Sequence, residues 1–273
     1  MTGPVALSPL DLGLSAGMLL LFGAVSVGFR LGLGRLLAIA GLRATVQLGI
    51  LGLVLVPVFA VQSPWPVVAW CALMILLAGR EAVARTRHRV DHPRFGRGGM
   101  LGTTVLAMAL GGGGSALFAT VAVLDVETWW TPRYLVPLVG MILGNALSGV
   151  SLGIDAALGA LVSERQRVEA LLALGATRTE ATRSVARDAI RTGLVPILNS
   201  MSAVGLVSIP GMMTGQILGG TPPFQAAQYQ LLILFLIAGA VAVGTLVAVG
   251  LTLRLAIDDA HRLRIDRIRR VER

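Results

Sequence analysis

The chain has 273 residues, of which 55% are hydrophobic and 14% charged, and its mean hydropathy of +0.80 lies outside the range of soluble globular domains. The formal net charge is +9, and all 23 basic residues counted as lysine or arginine are arginine. Without a lysine the chain cannot supply a GxxxxGK[ST] phosphate loop, and with Cys71 as its one cysteine it cannot form an intrachain disulfide or a Cys-based zinc cluster.

Seven apolar runs approach or exceed the ~20 residues that cross a bilayer as helix: 10–29, 36–60, 65–80, 100–123, 133–154, 192–219 and 229–253. The expected fold class is therefore an all-α polytopic membrane protein, one transmembrane domain over residues 1–273. The first run has no positively charged leader before it and reads as a membrane helix, not a removed signal peptide.

The arginines decide the orientation. Arg30 and Arg35 follow the first run, six lie between Arg80 and Arg97, six between Arg165 and Arg191, and seven between Arg254 and Arg273. Only Arg133 lies in an alternate connection, and Arg43 lies inside the second run. An excess of arginine in every second connection predicts an outside N-terminus and a cytoplasmic C-terminus in a cell membrane, inner or plasma. Trp65, Trp129 and Trp130 fall in the outer connections, where interfacial aromatics belong. The basic charge then belongs to the membrane face, and nucleic acid is not an expected partner.

Within the second run, Arg43 and Gln47 stand one helical turn apart. An intramembrane arginine either snorkels to the interface or faces protein, and Asp155 or Glu81 is the acidic partner within reach of its face. His88 and His92 are four apart and could share a metal, but Pro93 and the neighbouring arginines favour a solvated basic loop. The glycine run Gly111–Gly114 has no strand before it, which favours close helix packing or a helix break over nucleotide binding.

The cytoplasmic connection of about 155–191 carries an amphipathic pattern. Leu161, Val168, Leu171 and Leu172 share a face, Gly175 stops the helix, and Thr177 or Thr179 caps a second helix near Glu180. Such a hairpin either lies on the membrane surface or docks a soluble partner.

Two short segments repeat a pattern. Gly140-Met141-Ile142-Leu143-Gly144-Asn145 and Gly211-Met212-Met213-Thr214-Gly215-Gln216 both read Gly-Met-x-x-Gly-amide, after Pro137 and Pro210. The glycines allow close approach of helices, and Pro210 is expected to interrupt the sixth run near the outer half of the membrane. Non-helical backbone at that depth must lie against protein or line water. Gly140, Met141, Gly144, Asn145, Pro210, Gly211, Met212, Met213, Gly215 and Gln216 are thus candidates for a translocation path or gate. Met212 and Met213 are weak candidates for ligating a soft metal; packing or gating explains them more simply.

Glu169-Ala170-Leu171 followed by Gly175 resembles the coupling loop of ABC transporter permeases. Together with LVPLVGMILGNALSG (135–149), RDAIRTGLVPILNS (187–200), VGLVSIPGMMTGQILGG (204–220) and YQLLILF (229–235), it resembles the bacterial iron-export and plant aluminium-sensitivity permeases. The resemblance is strong over about 135–250; before residue 130 only the pattern of spans is similar. It implies a homodimeric permease subunit without enzymatic activity of its own. ATP and magnesium would be held by a separate ATP-binding subunit docked at Glu169, Ala170, Leu171 and Gly175, and the cargo would be metal ions such as iron. The alternative is a self-sufficient channel or secondary transporter, which calls for an intramembrane acidic relay that the spans lack.

Overall fold

The computed structural model describes residues 8–60, 63–91, 96–123, 128–258 and 260–271. Its contacts divide into two units, residues 1–62 with 215–222 and residues 63–214 with 223–273.

The first unit is a helical hairpin. Helix α1 (Pro9–Gly28) starts from a capping box in which the Ser8 hydroxyl accepts from the Asp11 amide and the Asp11 carboxylate accepts from the Ser8 amide. Asp11 is thus spent on the helix end. Helix α2 (Gly34–Ala60) follows a tight turn with Arg30 and Gly32 at positive φ. The Ser26 hydroxyl, 1% exposed, closes that turn by accepting from the Leu33 amide at 3.1 Å. Arg43 and Gln47 both lie exposed on α2.

The second unit contains α3 (Pro64–Arg85), α4 (Arg97–Met108), α5 (Gly114–Phe118), α6 (Pro132–Ser163), α7 (Arg165–Ala173), α8 (Arg178–Ala181), α9 (Arg183–Ala203) and α11 (Pro223–Ala256). Helix α10 (Gly211–Leu218) begins in this unit and ends in the first. The core is the contact of α6 with α9 and α11, filled by Ile142, Ala146, Val150, Ile154, Val241 and Val249.

Glycine makes that contact possible. A Cβ on Gly111 would lie 2.6 Å from the Ala240 carbonyl oxygen, and one on Gly153 2.8 Å from Thr245 Cγ2. Around Gly111 the backbone adopts a π-helical turn, Ala109–Gly113, and a second one follows α5 at Ala119–Val123. The glycine run therefore packs helices together, as its sequence context indicated.

Six helical segments among the described residues are long and apolar enough to cross a membrane: Leu10–Gly28, Gly34–Ala60, Pro64–Arg85, Gly98–Val123, Pro132–Ser163 and Pro223–Ala256. The protein is an all-α, multi-pass membrane protein. The sixth run, expected at 192–219, is not one helix. Helix α9 ends at Ala203, and a turn closed by Gly205 (φ +83°) and a Val204–Ser208 bridge separates it from α10. The break thus precedes Pro210. Pro210 stands at the start of α10, where its missing amide costs no hydrogen bond, so it introduces a helix instead of interrupting one.

Candidate functional site

The hairpin after α6 forms as its sequence pattern requires. Val168 and Leu161 are fully buried, anchoring α7 against the end of α6. Gly175 ends α7 at φ +89°, with the Gly175 amide donating to Leu172 O at 3.1 Å and the Ala176 amide to Leu171 O at 3.0 Å. This paired closure needs a left-handed residue, hence the glycine. Thr177 then caps α8: its hydroxyl accepts from the Glu180 amide, and the Glu180 carboxylate accepts from the Thr177 amide and hydroxyl. The Thr177 hydroxyl and then its amide hold the Glu180 carboxyl below its ordinary pKa.

Glu169 lies on α7, paired with Arg165 at 2.8 Å, and Ala170 is exposed beside it. Leu171 is half-buried. Leu174, directly before the turn glycine, is 85% exposed. Sequence spacing pointed to Gly175 and passed over Leu174; an apolar residue directly before a left-handed glycine was the available signal. Beside the turn, Arg167, Glu180, Arg183, Ser184, Arg187 and Asp188 line an open groove of about 540 Å³.

A second assembly gathers two arginine-bearing segments at the end of α6. Strand β1 (His88–Val90) pairs antiparallel with β2 (Ile268–Arg270). Asp155, on the last turns of α6, accepts from the Arg87 and His88 amides at 2.9 Å, and its Oδ1 lies 3.0 Å from His88 Nδ1. Asp91 pairs with Arg269 at 2.8 Å. His88 is therefore a half-buried structural partner and not part of a solvated basic loop; His92 lies outside the described residues. Asp155 is occupied by this junction, and Glu81 pairs with Arg85 on its own helix.

The path candidates lie on two helices. On α6, Gly144 and Asn145 are exposed and Gly140 and Met141 half-buried, on a helix that is otherwise largely buried. The Asn145 side-chain amide donates to Met141 O at 2.8 Å. On α10, Gly211 and Gly215 are exposed while Met212, Met213 and Gln216 are half-buried. Both Gly-Met-x-x-Gly-amide segments are continuous helix. Among the described residues no three His, Cys, Asp or Glu side chains come together to hold a metal.

Residues 9–257 match the family described as Uncharacterised protein family (UPF0014). The chain belongs to this family. A UPF0014 relative from Synechocystis, the membrane protein slr1647, is 39% identical over 198 residues, covering 72% of this chain and 74% of its own. The probable iron export permease protein FetB of Escherichia coli is 31% identical over 230 residues, 84% of each chain. The protein Aluminum Sensitive 3 of Arabidopsis thaliana is 34% identical over 205 residues, 75% of this chain and 71% of its own. No solved structure matches the UPF0014 chain. The chain is thus a multi-pass membrane protein of the UPF0014 family, and one of its relatives is named as a probable iron export permease.

Proposed function

We propose that this chain is the permease subunit of an ATP-driven ABC exporter of metal ions such as iron, working as a homodimer with a separate ATP-binding subunit. The observation that carries this reading is the α7–α8 hairpin. A permease must pass a mechanical signal from a soluble ATPase into its helices, and this requires a rigid projection fixed to a membrane helix. The hairpin is capped at both sides of its turn, anchored by Val168, and presents Leu174 at its tip. The neighbouring groove offers both charge signs for a polar rim around that apolar knob. The relative named as an iron export permease supports metal ions as the cargo.

In this reading the chain enters with its N-terminus outside. The arginine-rich segments joined by Asp155 and the β1–β2 pair lie in the cytoplasm, and α9 with α10 makes the remaining crossing as a broken helix.

The test is co-expression with a candidate ATP-binding subunit from the same organism, purification in detergent, and transport assay in vesicles. The two chains are expected to co-purify in equal amounts and to hydrolyse ATP faster when iron is added. Iron flux through this chain alone, unchanged by ATP, would overturn the proposal in favour of a channel.

A further inference from the structure

Helices α6 and α9 run antiparallel, as the approaches of Gly149 to Gly193 and of Gly153 to Ala189 require. Asp155 marks the arginine-rich end of α6, and Asn145 lies ten residues before it, about 15 Å along the helix. Arg191 marks the same end of α9, and Asn199 and Ser200 lie eight and nine residues beyond, about 12–14 Å along. Half of the ~30 Å hydrocarbon layer is 15 Å, so all three polar side chains stand near the membrane midplane.

All three are exposed. Val185, Ala189, Gly193 and Ile197 form the buried face of α9, and Ser200 continues that face by spacing, yet it is open. Past Ile197 helix α9 is covered less closely, with Met201 half-buried beside the open Ser200, and Pro196 just before removes a helical hydrogen bond. Helical phase places Asn145 and Met141 on the side of α6 that borders this opening, and Asn199 on the matching side of α9. The Asn145 amide nitrogen is engaged with Met141 O at 2.8 Å, which leaves its Oδ1 as the free group. The Ser200 hydroxyl donates to Pro196 O at 3.0 Å, leaving its lone pairs free. Bare amides and hydroxyls facing hydrocarbon would cost several kcal/mol.

We propose that Asn145, Asn199 and Ser200 form a neutral, oxygen-lined, hydrated site at mid-membrane through which a hard metal cation passes. It rests on the transporter reading and specifies the cargo chemistry of that path. The donors of Asn145 and Ser200 are turned to their own helices, which leaves the Asn145 Oδ1 and the Ser200 lone pairs as acceptors, so the site favours cations over anions. The three named side chains are all neutral, and among the described residues no three His, Cys, Asp or Glu side chains come together, so the ion is passed weakly and keeps part of its water. The site places the path at the α6–α9 opening, with α9 residues that the Gly-Met segments do not include.

Single cysteines at 145, 199 and 235 in a Cys71→Ser background, reconstituted in vesicles, test the hydration with a charged thiol reagent. Phe235 is 58% exposed on α11 and, by the register in which Gly149 meets Val241 and Gly153 meets Val249, lies within about 6 Å of the depth of residues 145 and 199, so it serves as the lipid-facing control. Positions 145 and 199 are expected to react at least ten-fold faster than 235; equal rates would mean a dry surface and overturn the site. Uptake of iron(II) by vesicles holding the complete transporter tests the cation. Asn145→Leu with Asn199→Leu is expected to lower uptake at least ten-fold, and Asn145→Ser, which keeps an oxygen, to restore most of it when paired with native Asn199. A loss on Met141→Leu with no loss on Asn145→Leu would overturn the hard-cation assignment. Wild-type vesicles that take up no iron would overturn the transporter reading itself, whereas the thiol rates are read without any metal.

Discussion

Gly149 and Gly193 meet backbone to backbone. A Cβ on Gly193 would lie 2.6 Å from the Gly149 carbonyl oxygen, and one on Gly149 2.9 Å from the Gly193 carbonyl oxygen. Thr245 of α11 closes the same junction, with its Cγ2 2.6 Å from that hypothetical Gly193 Cβ. The three longest-packed helices of the second unit are thus locked at one level.

Gly193→Ala is expected to destabilise the protein by about 1–3 kcal/mol, because the Gly149 backbone carbonyl cannot yield to the new methyl. Gly239→Ala, on α11 with nothing within 4 Å, is expected to be neutral or to stabilise by about 0.5–1 kcal/mol. Thermal unfolding in detergent checks both. Equal Tm values for the two variants would show that the junction is not tight.

Asp155 ties the first arginine-rich loop to α6. Asp155→Ala removes the acceptor for two backbone amides, those of Arg87 and His88, and is expected to cost about 1–3 kcal/mol. Hydrogen exchange should quicken at both β1 and β2, since the two strands pair with each other in a two-stranded sheet. Protection unchanged at 268–270 would show that the tail holds its place without this junction.

The Glu180 cap gives α8 a pH dependence of known sign. Its carboxyl is held low by the Thr177 hydrogen bonds, so its stabilising contribution is complete above the ordinary glutamate range near ~4.3. It is lost as pH falls through the depressed folded-state value. A spin label at the exposed position 179 should gain mobility in that acid window. In Glu180→Gln the label should already be mobile at neutral pH and respond little to acid.

Much of this was legible from the residues. Long apolar runs announced the membrane helices, and Gly175 with Thr177 announced the hairpin, because both signals are local: one is hydropathy, the other backbone geometry. The end of α9 was not legible. An apolar stretch through 192–219 looks continuous, and the turn at Gly205, closed by a positive φ and the Val204–Ser208 bridge, leaves no mark in hydropathy. Nor could Pro210 be assigned by type, since proline both breaks helices and begins them. The role of Asp155 depends on residues 67 and 68 positions away, and such pairing has no periodic trace.

The methionines of α10 provide a further prediction. Met212→Leu with Met213→Leu keeps volume and removes both thioethers. Near-normal iron-stimulated ATP hydrolysis is expected, because these half-buried side chains lie within a continuous helix and serve packing. A selective loss of metal stimulation would instead assign them as ligands.

The central claim is that the α7–α8 hairpin couples this chain to an ATPase, and iron-stimulated ATP hydrolysis by the reconstituted two-component complex tests it most directly. Leu174→Asp places a charge on the exposed tip of the hairpin without disturbing a buried contact. The account predicts that wild-type complex hydrolyses ATP several-fold faster with iron, and that Leu174→Asp, still folded and inserted, loses this stimulation. Equal stimulation in wild type and Leu174→Asp would contradict it.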